Sequence, residues 1–144
     1  MRESIGLAGR LILAAVFAGL SAGAAQAQSY YSGRFTLPFE VRWGGTTLPA
    51  GEYSLGMSSI KGPLDVMDAR GRVRIQVYGT ADAPMNTQPT SLLITRDGAE
   101  RTVRSFNCPA WGRKFVYKPF TRAERDLLAR TELTETVAVR MASR

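Results

Sequence analysis

The chain has 144 residues, with 19 Lys and Arg against 12 Asp and Glu, and a formal net charge of +7. It contains no histidine and a single cysteine, Cys108. These counts exclude Ser-His-Asp and Cys-His catalytic constellations and a typical zinc site, so we predict a non-enzymatic protein without a cofactor. The cationic excess serves solubility or attracts anionic polymers and envelope surfaces.

Residues 1–27 are typical of a secretory signal peptide. A basic start precedes the apolar run Leu11–Leu20, which is too short to span a bilayer because spanning takes about 20 apolar residues. Ala25-Gln26-Ala27 fits the small-x-small cleavage pattern. We therefore predict cleavage after Ala27 and export of residues 28–144 to the periplasm or the exterior as a single β-rich domain.

The first predicted strand shows strict alternation of apolar and polar side chains. Period two indicates one buried and one exposed face, and the predicted buried set is Phe35, Leu37, Phe39, Val41 and Trp43. Pro38 cannot donate to a ladder, so its end of the strand should lie at a sheet edge or beside a bulge. Gly44-Gly45 ends the stretch, and the alternation resumes at Tyr53 and Leu55. The simplest arrangement is an antiparallel pair.

A short motif in this region resembles a known family. Pro38-Phe39 followed by Leu48-Pro49-Ala50-Gly51-x-Tyr53 is similar to the "PF…LPAGxY" pattern of small uncharacterised exported bacterial proteins that are rich in β-structure. The resemblance covers Phe35 to Tyr53 and the general layout behind it. It implies a β-sandwich or barrel and an exported location, and it implies no catalytic residues.

Further alternating segments follow along the chain. The predicted strands are Val73–Val77, Leu92–Arg96, Arg101–Phe106 and Phe115–Lys118. A turn at Asp68–Gly71 precedes the first of them, and Asp97-Gly98 predicts a hairpin between the second and third. Thr80–Ser91 is polar and contains prolines, which indicates a surface loop of about a dozen residues.

The C-terminal part changes in character before it returns to alternation. Thr121-x-x-Glu124 is a capping-box pattern, which predicts one short helix through Arg130 with a narrow apolar face. Leu133–Met141 then predicts a closing strand. The whole pattern predicts an all-β sandwich or small barrel of about seven antiparallel strands with one short helix near the C-terminus.

Two groups of cations form a candidate site for polyanions. The first group is Arg70, Arg72 and Arg74, and the second group is Arg113, Lys114 and Lys118. Alternation places arginines on one face of a strand, and aromatic side chains interleave the second group, as in surfaces that hold phosphates or acidic glycans. A solvated strand face explains the same pattern. The apolar neighbours of Cys108 predict a buried thiol rather than a nucleophile.

These observations favour an exported non-enzymatic binding or structural module of the cell envelope, with an unknown ligand. One alternative is a carboxylate-dependent hydrolase of an envelope polymer, for which the candidate acids are the pairs Asp65/Asp68 and Glu132/Glu135. Another is self-association as a strand-exchanging fibre subunit, because the segment QSYYSGRFTLPF places a β-prone sequence at the free N-terminus of the mature chain.

Overall fold

The structure, a computed structural model, describes residues 31–142. The predicted signal peptide and its cleavage position lie outside this range. Within it the chain forms two β-sheets, one α-helix and one 3-10 turn, which confirms the all-β class and the short helix near the C-terminus. The described residues form twelve strands instead of the seven or so expected, because glycine turns and bends divide the alternating stretches into short pieces.

The first sheet has five antiparallel strands. In spatial order they are β12 (Arg140–Met141), β1 (Tyr31–Leu37), β4 (Gly51–Met57), β5 (Leu64–Asp68) and β6 (Val73–Val77). β1 pairs with β4 along its whole length, which confirms the predicted antiparallel pair. β6 is an edge strand, and its first residue, Val73, is 53% exposed.

The second sheet has seven strands. Its main path in space is β11 (Thr134–Ala138), β8 (Ser91–Asp97), β9 (Glu100–Cys108), β10 (Arg113–Val116) and β7 (Thr80–Asp82). A hairpin of β2 (Val41–Trp43) and β3 (Thr46–Leu48) joins it through β2, which pairs with β9. The hairpin predicted at Asp97-Gly98 is confirmed as β8–β9, with Gly98 at φ 61°. The helix α1 (Arg122–Leu128) follows β10.

The chain passes from one sheet to the other after β1, β3, β6 and β11, and we refer to the last two of these passages as corners. β6 leads into β7 through Tyr78-Gly79, and β11 leads into β12 through Val139. A glycine lies in or beside each corner, where neighbouring side chains leave little room for a Cβ atom. A Cβ on Gly79 would lie 2.9 Å from a ring carbon of Tyr117, and one on Gly33 would lie 2.9 Å from the sulfur of Met141. Both corners therefore depend on the absence of a side chain.

The buried side chains form one hydrophobic cluster, to which both sheets contribute. Of the predicted inward set, Phe35, Leu37, Val41 and Trp43 are buried. The predicted burial of Phe39 is wrong. This residue lies in the bend between β1 and β2 and is only partly buried, with the Arg101 guanidinium 4.1 Å from its ring centroid. The bend exists because the chain moves from the first sheet to the second after Leu37.

The LPAGxY motif folds into a closed turn ahead of β4. Gly51 has φ +154°, a backbone conformation that residues other than glycine rarely adopt. The Tyr53 hydroxyl donates to the Pro49 carbonyl oxygen at 2.7 Å, and its ring stacks on Phe35 with 5.7 Å between ring centroids. The motif thus fixes the direction in which the chain enters β4, the strand that runs antiparallel to β1.

A β-bulge at Arg104 connects the second sheet to the helix. Ile94 pairs with Val103 but Leu93 pairs with Ser105, which leaves Arg104 as the extra residue on β9. Its buried guanidinium donates to both carboxylate oxygens of Glu124, at 2.8 and 3.4 Å. The predicted capping box at Thr121 and Glu124 is confirmed, whereas the expected apolar face of the helix is not buried, since Leu127 is 53% exposed.

Candidate binding site: a cleft where the two sheets separate

The first predicted cationic group lies at one end of the five-stranded sheet. Arg70 and Arg72 belong to the turn between β5 and β6, and only Arg74 is in the strand. Asp68 accepts backbone N–H groups from Arg70 and Arg72, and its carboxylate lies 3.3 Å from Nε of Arg72 and 3.9 Å from Arg74. Burial opposes ionisation of this carboxyl, but those N–H donors and the Arg72 charge lower its pKa overall. Two of these three arginines are therefore paired internally.

The second group lies on the seven-stranded sheet. Arg113 and Lys114 are in β10, and Lys118 follows that strand. Lys114 and Lys118 line a depression of about 210 Å³ with Arg125 and Phe120. Arg113 does not line this depression, and the first group lies on the other sheet. Of the six predicted residues, Lys114 and Lys118 thus come together in this depression. They are joined there by Arg125, which sequence reasoning missed.

Most of the groups considered for catalysis are buried or engaged in hydrogen bonds and ion pairs. Cys108 is fully buried, as expected, and burial raises the pKa of its thiol. Asp65 accepts from Gln76 at 2.8 Å, and Glu135 lies 2.9 Å from Nε of Arg101. Glu132 lies exposed between α1 and β11. Within residues 31–142, no group of three or more Cys, Asp or Glu residues is arranged to hold a metal ion.

A large cleft opens where the two sheets separate beyond the corner at Val139. It has a volume of about 980 Å³ and is lined by β1, β4, β11 and the residues before β8. The ladder between β1 and β12 consists of Gly33–Met141 and Arg34–Arg140. Beyond Arg34, β1 and β11 belong to different sheets and share no ladder. The cleft is therefore closed at Arg34 and Arg140 and opens towards Pro38.

Strand β11 directs free backbone groups into this cleft. The Arg96 N–H donates to the Leu133 carbonyl at 2.8 Å, and the Val139 N–H donates to the Thr90 carbonyl at 3.0 Å. The odd-numbered residues of β11 therefore direct their backbone groups towards β8. Successive residues of a strand direct theirs to opposite sides, so Thr136 and Ala138 direct theirs to the other edge, where no strand of the described part of the chain pairs with β11.

Strand β1 has a free edge on the opposite wall. Ala142 N–H donates to the Ser32 carbonyl at 3.0 Å, which shows that even-numbered residues of β1 face β12. Thr36 lies beyond the end of that ladder, so its backbone groups have no strand partner on this side within the described residues. The expectation that the Pro38 end lies at a sheet edge agrees with this register.

The closed end of the cleft carries two opposed cations above an apolar floor. Arg34 and Arg140 are direct cross-strand partners and both are exposed. Neither takes part in the ion pairs found within residues 31–142. The floor consists of buried side chains, namely Phe35, Tyr53, Val137 and Val139. Burial raises the pKa of the Tyr53 hydroxyl, with Arg74 acting against it, so this group stays neutral at pH 7.

Sequence reasoning missed the arginine pair. Both arginines lie at outward positions of alternating strands, and that much is visible in the sequence. Their meeting depends on the corner at Val139, which brings residue 140 back to residue 34 from the far end of the chain. Alternation carries no information about such a contact.

Within residues 31–142 no helix is long and apolar enough to cross a membrane. Comparison of the chain with protein-family models, curated proteins and solved structures gave no match. The resemblance to exported β-rich proteins therefore rests on the motif between Phe35 and Tyr53 alone.

Proposed function

We propose that this protein is an exported, non-enzymatic binding module of the cell envelope, and that the cleft between β1 and β11 is its binding site. The observation that carries the proposal is the pair Arg34 and Arg140, two cations at the closed end of a cleft of about 980 Å³ that have no ion-pair partner within residues 31–142. Like charges directly opposite on a ladder are unfavourable. An anion that contacts both guanidiniums would remove that repulsion, because arginine binds carboxylates in two-pronged geometry.

Export is supported by the pattern of residues 1–27 and by the family resemblance at Phe35–Tyr53. A non-catalytic role is supported by the ion pairs and hydrogen bonds that occupy Asp65, Asp68 and Glu135. Strand exchange through the N-terminal segment has less support, because Tyr31–Leu37 pairs with β4 over its whole length in its own sheet.

The experiment is an NMR titration of residues 28–144 with acetate and succinate at constant ionic strength, with matched neutral amides as controls. We expect the shifts to cluster at Phe35, Val137 and the two arginines, and to disappear in Arg140→Gln. Shifts scattered over the whole basic surface, or unchanged in Arg140→Gln, would overturn the proposal.

A second candidate is the polyanion surface on the outer face of β10. Its support is the depression where Lys114, Lys118 and Arg125 surround Phe120, because cations beside an aromatic ring suit charged polymers. The proposal would be supported if the wild-type protein eluted from a heparin column at a higher salt concentration than the double variant Lys114→Ser/Lys118→Ser. Identical elution of that variant and of Arg72→Ser/Arg74→Ser would remove it.

We also propose that the fold is a small barrel that is open at the cleft. The two corners support this arrangement, because β6–β7 and β11–β12 each continue from one sheet into the other. Strands that bend from one sheet to the next are a common way to close such folds.

A further inference from the structure

The geometry points to a more specific occupant for the cleft: the C-terminal end of an extended peptide, bound as an added strand with its carboxylate between Arg34 and Arg140. This inference rests on the proposed binding function and names its ligand class.

The walls of the cleft favour a peptide backbone over other ligands. Thr136 and Ala138 on one wall, and Thr36 on the other, present N–H and C=O groups that have no strand partner within residues 31–142. An extended chain between them would pair with such groups as strands do when they add to a sheet edge. Natural edge strands usually carry lysine or proline that prevents such pairing. β11 has neither, and its one charged residue, Glu135, is engaged by Arg101.

The closed end of the cleft favours a chain terminus. The Arg34–Arg140 pair belongs to the β1–β12 ladder, so an inserted strand has to stop there. A peptide whose last residue lies at this point places its terminal carboxylate beside two guanidiniums that have no carboxylate partner within residues 31–142. Such a peptide runs parallel to β11 and antiparallel to β1, since β11 runs towards the closed end and β1 runs away from it.

The position of Glu52 argues for one terminal charge and against a polyanion in this cleft. Glu52 is exposed, lines the same cleft and lies opposite Thr36, two residues further from the closed end than Arg34. A polymer with a charge on every unit would meet this carboxylate as well as the arginines. A single terminal carboxylate meets only the arginines. The alternating apolar floor, Phe35 and Val137, suits side chains that point inward from every second position of a strand.

The test uses three synthetic hexapeptides of alternating Thr and Val: one with a free C-terminal carboxylate, one with a C-terminal carboxamide, and one with N-methyl groups at alternate residues. Each is titrated into residues 28–144 and followed by NMR shifts and amide hydrogen exchange. We expect the free acid to bind and to protect the amides of Thr136 and Ala138 from exchange. Removing the carboxylate charge, or either arginine, should weaken binding about tenfold, as expected for one charge-assisted contact.

The protein variants are Arg34→Gln and Arg140→Gln, with Arg113→Gln as the matched control at an exposed position of a strand in the other sheet. Urea unfolding that shows each variant to be at least as stable as the wild-type protein demonstrates that a loss of affinity is not a loss of fold. Equal affinity for the acid and the amide, or equal protection by the N-methylated peptide, would overturn the inference. A heparin hexasaccharide that binds the cleft in place of the peptides would overturn the inference and leave the proposed binding function intact. Absence of any ligand-induced NMR shift in the cleft would overturn both the inference and the proposed binding function.

Discussion

The Tyr53 hydroxyl donates a 2.7 Å hydrogen bond to the carbonyl oxygen of Pro49, four residues before it in the chain. This contact closes the turn of the LPAGxY motif and holds the Tyr53 ring against Phe35. The motif is therefore explained by geometry: a proline and a glycine shape the turn, and the tyrosine fastens it.

Tyr53→Phe is expected to lower the free energy of unfolding by about 1 kcal/mol, the usual worth of one internal hydrogen bond. Urea denaturation monitored by circular dichroism measures the change. Tyr78→Phe is the matched control, because Tyr78 is 73% exposed. Equal changes in the free energy of unfolding in the two variants would show that the Tyr53–Pro49 hydrogen bond does not stabilise the fold.

Tyr117→Phe is expected to have the opposite result. The Tyr117 hydroxyl is buried and has no hydrogen-bond partner within residues 31–142, and burial strongly raises its pKa. Removing an unpaired buried hydroxyl relieves its desolvation cost, so stability should stay the same or rise by up to about 1 kcal/mol. A loss of stability similar to that of Tyr53→Phe would mean that a buried water or another group bonds this hydroxyl.

The parts of the fold that follow local rules could be predicted from the sequence. Alternation identified β1, β4 and β11, Gly98 marked a hairpin, and Thr121 with Glu124 marked the helix start, because each of these signals lies within a few residues of the structure it specifies. The buried residues of β9 also change from an odd position, Val103, to even positions, Phe106 and Cys108, and this change of parity reflects the bulge at Arg104.

Features that depend on distant contacts could not be predicted. Phe39 fits the buried parity, but the chain changes sheets at that point and leaves the side chain only partly buried. The cleft depends on the return of Arg140 to Arg34, which no local pattern encodes. The predicted cations were chosen by spacing along the chain, whereas the arginines of the cleft are brought together by the corner at Val139.

The Arg104–Glu124 ion pair makes stability depend on pH at the acidic end. The hydrogen bond from Arg104, followed by that from the Thr121 backbone, lowers the pKa of the Glu124 carboxyl to about 2. A carboxyl whose pKa is lower in the folded state contributes stability above its ordinary pKa and loses that contribution as the pH falls towards the lowered value. The contribution should therefore decline between about pH 4.5 and pH 2.

Glu124→Gln tests this expectation, because glutamine keeps the capping box but removes the charge. The variant should be less stable than the wild-type protein at pH 6, and the difference should shrink when urea unfolding is repeated at pH 3. Glu132→Gln, at an exposed position, should show no such convergence. A constant difference at both pH values would contradict the assignment.

Asn107 holds the long loop that follows β7. Its buried side chain accepts from the Met85 N–H at 2.9 Å and donates to the Met85 carbonyl at 3.1 Å. Asn107→Ala should lower the free energy of unfolding by about 1–3 kcal/mol, speed hydrogen exchange at the Met85 amide and expose residues 83–90 to proteases. Asn86→Ala, an exposed change within the loop, should do none of these. Unchanged exchange at Met85 would show that the loop is held by other contacts.

Arg34 and Arg140 should each lower the stability of the free protein. They are direct cross-strand partners of like charge, an arrangement that costs about 0.2–1 kcal/mol. Arg34→Gln and Arg140→Gln are therefore expected to raise the free energy of unfolding by that amount at low salt. The gain should vanish near 1 M NaCl, where the screening length falls to about 3 Å, and Arg113→Gln should show no salt-dependent gain. A purely structural role for the arginine pair would require the variants to be less stable at every salt concentration. A gain in stability together with weaker anion binding in the same variants would instead identify two cations that are unfavourable in the free protein and favourable only when an anion lies between them.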